Sequence, residues 1–232
     1  MKTILLDIEG TTTPIDFVHK TLFPFSKERV GKFVATHFDA LRNEIDQLVD
    51  ESSHDNSYTV PVDPTEPGSV STYLEFLIDQ DRKSTPLKAI QGKIWKEGYE
   101  SGDLVSDVFD DIPAAFERWK AQGKRIAIYS SGSVLAQQLL FAHTKQGDLT
   151  PMISEYFDTN VGAKREVESY RNIAKELDIP AANVLFVSDI VEELDAARSA
   201  GMNTALSIRP GNAPIESDPI HEIVTTFADL SI

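Results

Sequence analysis

Ile4, Leu5 and Leu6 form an unbroken apolar run that leads directly into Asp7-Ile8-Glu9-Gly10. A run without polar alternation suits a strand buried on both faces, as strands are in a parallel sheet covered by helices. Gly10 and the β-branched Thr11 to Thr13 stop it too early for a buried helix. The strand therefore delivers Asp7 at its carboxyl tip, the rim at which open α/β sheets bind ligands. Glu9 follows two residues on, and Gly10 lets the backbone turn closely there. Two acids held so near each other repel unless a cation or a shared proton intervenes. The pair reads as a metal site, or as a polar strand end capping the next helix.

The rest of the chain decides what that strand belongs to. From about residue 15 to 105 the pattern is helical, with no convincing strand. A helix is expected from Ser26 through Val34, and Leu41, Ile45 and Leu48 continue at helical spacing. Residues 51–69, with Pro61, Pro64, Pro67 and Gly68, read as a linker. Val70, Tyr73, Leu74, Leu77 and Ile78 make a further helical stripe. Ser84 or Thr85 can then cap a helix with Pro86 in its first turn.

After residue 105 the period changes. Strands are expected at 126–129, 156–158, 184–187 and 204–208, separated by helices at 114–122, 134–142, 167–177 and 191–200. Strand–helix alternation implies right-handed crossovers and a parallel sheet. The expected fold is α/β, a doubly wound parallel sheet built from residues 1–14 and 106–232. Residues 15–105 are then a helical cap inserted after the first strand, where they would lie over the site as a lid.

Composition narrows the function. The formal charge of −15, from 22 basic and 37 acidic residues, argues against a nucleic-acid partner, which needs a basic surface. No apolar run approaches the ~20 residues of a membrane span, and Asp7 interrupts the N-terminal apolar residues well short of a signal-peptide core. An intracellular protein without a membrane partner is expected. The absence of cysteine excludes disulfides and thiol nucleophiles, and the five histidines have no ligand-like spacing. An acidic protein that handles a phosphorylated small molecule must gather positive charge locally.

Three further pieces stand at strand ends. Strand 126–129 runs into Ser130-Ser131-Gly132-Ser133, hydroxyls and backbone N–H groups that can hold a phosphate or simply cap the next helix. Lys164 precedes a helix. Asp189, in Val187-Ser188-Asp189, repeats the position of Asp7, and it too can be an ordinary helix cap. Glu193, one helical turn on, could orient it.

An acid, a hydroxyl, a lysine and an acid, in that order at successive strand ends, resemble the four motifs of the haloacid dehalogenase superfamily of phosphotransferases. The resemblance implies a haloacid dehalogenase-like Rossmannoid core with Asp7 as the nucleophile forming an aspartyl-phosphate. Ser130, Ser131 and Lys164 would hold the phosphoryl group, and Asp7, Glu9 and Asp189 would bind one Mg2+ per subunit. The usual second acid of the superfamily is Asp, and here it is Glu9. That variant, with Pro14, Phe17, Val18, Leu22-Phe23-Pro24, Gln91-Gly92-Lys93-Ile94-Trp95 and Ser169-Tyr170, resembles the enolase-phosphatase family of methionine salvage. The resemblance implies enolisation of 2,3-diketo-5-methylthiopentyl-1-phosphate, followed by removal of its phosphate to give an acireductone.

Glu9 would then be the acid and base of the phosphatase half-reaction, alongside Asp7 and Lys164 as catalytic residues. Glu9 and Lys88 are candidates for the enolisation base. Phe17, Phe23, Trp95 and Tyr99 are candidates to meet the methylthio tail, or core residues. The partner expected is a small phosphorylated molecule, the chain a monomer, and its location the cytoplasm with a nuclear pool allowed. A generic Mg2+-dependent sugar-phosphate phosphatase, a capped dehalogenase, a receiver module and a non-catalytic phosphoryl binder are the competing readings.

Overall fold

The computed structural model describes residues 1–214, 220–228 and 230. The chain divides into two compact units, Met1–Val18 with Val105–Ile232, and His19–Leu104. The sequence boundaries of 14/15 and 105/106 thus fall within four residues of the division.

The first unit is built on six parallel strands: β1 (Thr3–Leu6), β2 (Arg125–Tyr129), β3 (Glu155–Phe157), β4 (Val184–Ser188), β5 (Asn203–Ser207) and β6 (Glu222–Val224), in the order β3-β2-β1-β4-β5-β6. β1 is central and buried throughout, which is why its sequence is apolar without alternation. Leu6 pairs with Ile128 on one side and Val187 on the other, so the three strands end level with one another. Helices α6 (Ile112–Ala121), α7 (Val134–Ala142), α8 (Val167–Glu176) and α9 (Val191–Ser199) follow in turn along this unit. Leu5, Ala127, Tyr129 and Phe186 pack with Tyr170 and Ile173 of α8 and Leu194 and Ala197 of α9. Phe116 and Trp119 of α6 meet Phe141 of α7 and Phe227 in a second aromatic layer.

The expected helices and four later strands are all present, shifted by a residue at β3 and β5. β6 went unread: it has three residues, two of them exposed, and lies at the sheet edge.

Between β1 and the second unit the chain makes one helical turn, α1 (Ile15–Phe17), which continues as a π-helix over Val18–Leu22. The second unit is wholly helical: α2 (Phe23–His37), α3 (Arg42–His54), α4 (Pro67–Asp79) and α5 (Thr85–Ser101). The expected linker of 51–69 is shorter than its composition suggested. α3 runs on to His54, and Pro67 opens α4, because a first-turn proline has no N–H to lose. Ser84 caps α5, its side chain accepting from Leu87 N–H at 3.3 Å. Gly98 has no Cβ for a packing reason: one placed there would meet Phe25 at 2.3 Å. Trp95 donates from Nε1 to the Leu22 carbonyl and its ring stacks near Phe23. Phe17, Trp95 and Tyr99 are buried and Phe23 is half-buried.

Candidate active site

Asp7, Ser130 and Asp189 follow directly on the ends of β1, β2 and β4, whereas Lys164 comes from the loop before α8 and Glu193 from the first turn of α9. β1 continues past Leu6, Asp7 N–H donating to the Val187 carbonyl at 3.0 Å, and then breaks into a tight loop. Gly10 N–H closes this loop on the Thr13 carbonyl at 2.8 Å, with Gly10 in the left-handed region at φ +66°. Thr12 Oγ1 donates to the Asp7 carbonyl at 3.1 Å. The loop and the neighbouring strand β4 together fix the backbone of Asp7.

Asp7 is 4% exposed, and its partners come from three places in the chain. Oδ1 accepts from Ile8 N–H at 2.7 Å and pairs with Lys164 Nζ at 2.6 Å. Oδ2 lies 3.2 Å from Ser188 Oγ. Lys164 Nζ also pairs with Glu193 Oε2 at 2.7 Å, and Ser188 Oγ is 3.0 Å from that same oxygen. A hydroxyl has one proton, so Ser188 serves Asp7 or Glu193, not both. Burial works against the charge of Lys164, but Asp7 and Glu193 outweigh it and raise its pKa above the ordinary lysine value. Glu193 is held above the usual carboxylate range by burial and by Asp7.

The Lys164 loop is pinned by its backbone. Tyr170 OH donates to the Lys164 carbonyl at 2.6 Å, Ser169 Oγ to the Ala163 carbonyl at 2.7 Å and Tyr129 OH to the Gly162 carbonyl at 2.9 Å. Ser169 and Tyr170 thus have a physical task beside their place in the sequence pattern.

On the far side of β1, Ser130 is buried at the end of β2, and its Oγ accepts from Gly132 N–H at 3.2 Å. Ser133 caps α7 through Ala136 N–H. Ser131 is half-buried in the same turn. Gln137, unremarked in the sequence, braces this turn from within: its Nε2 donates to the Gly132 and Phe157 carbonyls, both at 2.8 Å.

Asp189 stands beyond Ser188, against the β1 loop. A Cβ on Gly10 would lie 2.4 Å from Asp189 Oδ2, so only glycine admits the carboxylate there. Burial, then the neighbouring Asp7, pushes Asp189 up to about 7. At ~4 Å two carboxylates repel by about 4 kcal/mol at an effective dielectric of ~20. A hard cation reverses that sign, and an all-oxygen set with few protein ligands is what Mg2+ takes. Among the described residues no group of three or more acidic, His or Cys side chains stands arranged as a metal cage. Glu9 is half-buried on the Asp7 loop, two residues from Asp7.

The sequence grouped Asp7, Ser130, Lys164 and Asp189 by their order at strand ends and the family pattern it resembles; in the structure Asp7 is bonded to Lys164 and neighbours Asp189, while Ser130 Oγ bonds within its own turn. Sequence reasoning missed Ser188, Gln137, Ser207 and Asn212. Of these only Ser188 left a signal, its place immediately before Asp189.

The family model of haloacid dehalogenase-like hydrolases matches residues 1–201. An enolase-phosphatase of Synechococcus elongatus is 51% identical over 92% of this chain and 91% of its own length. One of Leptospira borgpetersenii is 50% identical over 98% of this chain and 97% of its own. The crystal structure of the UTR4 protein of Saccharomyces cerevisiae aligns with a TM-score of 0.78 at 35% identity, covering 99% of each chain.

Proposed function

The chain belongs to the haloacid dehalogenase-like hydrolases and, among them, to the enolase-phosphatases, and from that premise we propose how its residues divide the work. The substrate is 2,3-diketo-5-methylthiopentyl-1-phosphate, which is enolised and then dephosphorylated to the acireductone of methionine salvage. The observation that carries the reading is the bonded set Asp7, Lys164, Glu193 and Ser188 at one rim of the sheet, with Asp189 beside it.

In the phosphatase half, an Asp7 carboxylate oxygen forms a bond to phosphorus as the bond to the ester oxygen breaks. The leaving oxygen takes a proton from Glu9, and an aspartyl-phosphate remains. Glu9, now a carboxylate, takes a proton from water as that water attacks phosphorus, which releases inorganic phosphate and restores Asp7. Lys164 places a fixed positive charge against the nucleophile and offsets the phosphoryl charge. Glu193 and the Tyr170-held loop orient it. Ser130 Oγ and the N–H groups of its turn donate to the phosphoryl oxygens.

Asp7, Asp189 and Glu9, the last through its side chain or its carbonyl, would hold Mg2+, which when bound would supply a second local positive charge and polarise the substrate's carbonyl oxygens. The reading carries with it a cytoplasmic monomer acting on a small phosphorylated molecule. No helix of the described residues is long and apolar enough to cross a membrane.

The test is phosphate release from the diketo phosphate in the presence of Mg2+, with ultraviolet absorbance recorded. An enol band that rises and decays before phosphate release is complete supports the full reaction. Phosphate release without that transient points to a phosphatase of sugar phosphates. Asp7→Asn is expected to abolish release, and undiminished release would remove the nucleophile assignment.

A further inference from the structure

Asn212 lies outside every motif that the sequence singles out, five residues past the end of β5. Its carboxamide orientation is set by its neighbours. Nδ2 sits 2.9 Å from the Gly10 carbonyl and 3.2 Å from the Ser207 carbonyl. Both partners only accept, so the NH2 end must face them, and the amide cannot be turned round without losing two hydrogen bonds. The oxygen therefore points the other way, where Oδ1 is buried and meets no protein donor.

The place it faces is defined by Gly10. The point that a Cβ would occupy there is 2.9 Å from Asn212 Oδ1 and 2.4 Å from Asp189 Oδ2. A neutral acceptor and an acid thus converge on one small space beside the Asp7 loop. A buried acceptor left without a donor costs roughly 1–3 kcal/mol, and two oxygens together call for protons or positive charge. Ser207 Oγ donates to the same Gly10 carbonyl at 3.3 Å, so the loop has a second brace that brings no oxygen to that space.

We propose that Asn212 is a positioning residue for the divalent cation: its carboxamide oxygen accepts a hydrogen bond from the cation's hydration shell, while its NH2 fixes the loop that carries Asp7 and Glu9. The inference rests on the reading of Asp7 and Asp189 as metal acids. Outer partners of this kind typically contribute about 10–100-fold to metal affinity.

The test is Mg2+ titration of the full-length protein by calorimetry, without substrate, together with the melting temperature of each metal-free variant. Asn212→Ala is expected to weaken Mg2+ binding about tenfold or more. Ser207→Ala, which removes only the brace on Gly10, is expected to lower the melting temperature and leave Mg2+ affinity at the parent value. Asn212→Asp gives up the two NH2 hydrogen bonds but offers that space a charged acceptor, so it is expected to melt lower than the parent without metal and to gain at least as much melting temperature as the parent on saturation with Mg2+, which decides the matter should the alanine variant not fold. Parental affinity in Asn212→Ala overturns the proposal. So does an equal loss in Asn212→Ala and Ser207→Ala, which would make both residues mere braces, or a smaller Mg2+-induced gain in melting temperature in Asn212→Asp than in the parent. A parent protein that binds no Mg2+ would instead remove the metal reading beneath it.

Discussion

Lys164 can remain charged in a buried position because Asp7 and Glu193 both reach it. A lone buried ammonium would lose its proton, whereas two carboxylates in contact hold it on. The cost of gathering charge falls on Asp189, which is near the same acids but receives no direct bond from Lys164 and titrates at about 7. Gly10 is the residue that makes this crowding possible. Gly10→Ala would place a methyl group 2.4 Å from Asp189 Oδ2 at a positive φ. Displacing that carboxylate by even ~1 Å is expected to lower phosphate release by about 100-fold, with the far-ultraviolet circular dichroism unchanged. Parental turnover in this variant would mean that Asp189 is not needed where it stands. Asp7 and Asp189 were legible in the sequence because each sits at the end of an apolar run, and Lys164 only through its place in the four-motif family pattern. Gln137 and Asn212 were not, since their partners are carbonyls brought together only by the fold, and any polar residue near a turn looks the same.

At the scale of elements, the strands and helices of the α/β unit were readable because apolar runs alternate with helical stripes. Caps such as Ser84 and Ser133 marked their helices in advance. β6 lacked such a mark, and what holds the chain there is long-range. Asp111, at the start of α6, accepts from Phe227 N–H and from Thr226 Oγ1 at 2.9 Å, and pairs with Arg209 at 3.0 Å. The Arg209 guanidinium lies between the Phe109 and Phe227 rings. Burial raises the Asp111 pKa, but these donors and Arg209 more than offset it, and the net shift is downward. A folded pKa below the unfolded value means that Asp111 adds stability above about pH 4 and loses it as the pH falls through the folded value. Asp111→Asn is therefore expected to cost roughly 1.5–3 kcal/mol at neutral pH and to make the acid limb of the stability curve shallower. Urea midpoints measured from about pH 3 to 7 check both, and an unchanged acid limb would show that Asp111 does not hold the C-terminal segment.

For the whole molecule, the order of elements set residues 15–105 apart as an insertion between β1 and β2, and the chain divides into compact units at His19–Leu104. The exact division, after Val18 and before Val105, was not legible because the π-helical stretch Val18–Leu22 runs through it without a break in composition. Every side chain proposed for phosphoryl transfer belongs to the unit that contains Trp119. In a Trp95→Phe background, where Trp119 is the only indole, Mg2+ at ~100 times its dissociation constant is expected to raise the stability reported by fluorescence by about 2.7 kcal/mol. No shift would mean that the acids of this unit do not bind the ion. The central claim is that Asp7 carries the phosphoryl group, and the most direct measurement is rapid acid quench of Glu9→Gln turning over the diketo phosphate, followed by peptide mass analysis. A phosphoryl mass on the peptide that contains Asp7, formed slowly without the proton from Glu9 and then retained because water is no longer activated, is the predicted result. Full phosphate release with that peptide never modified at any quench time would contradict it.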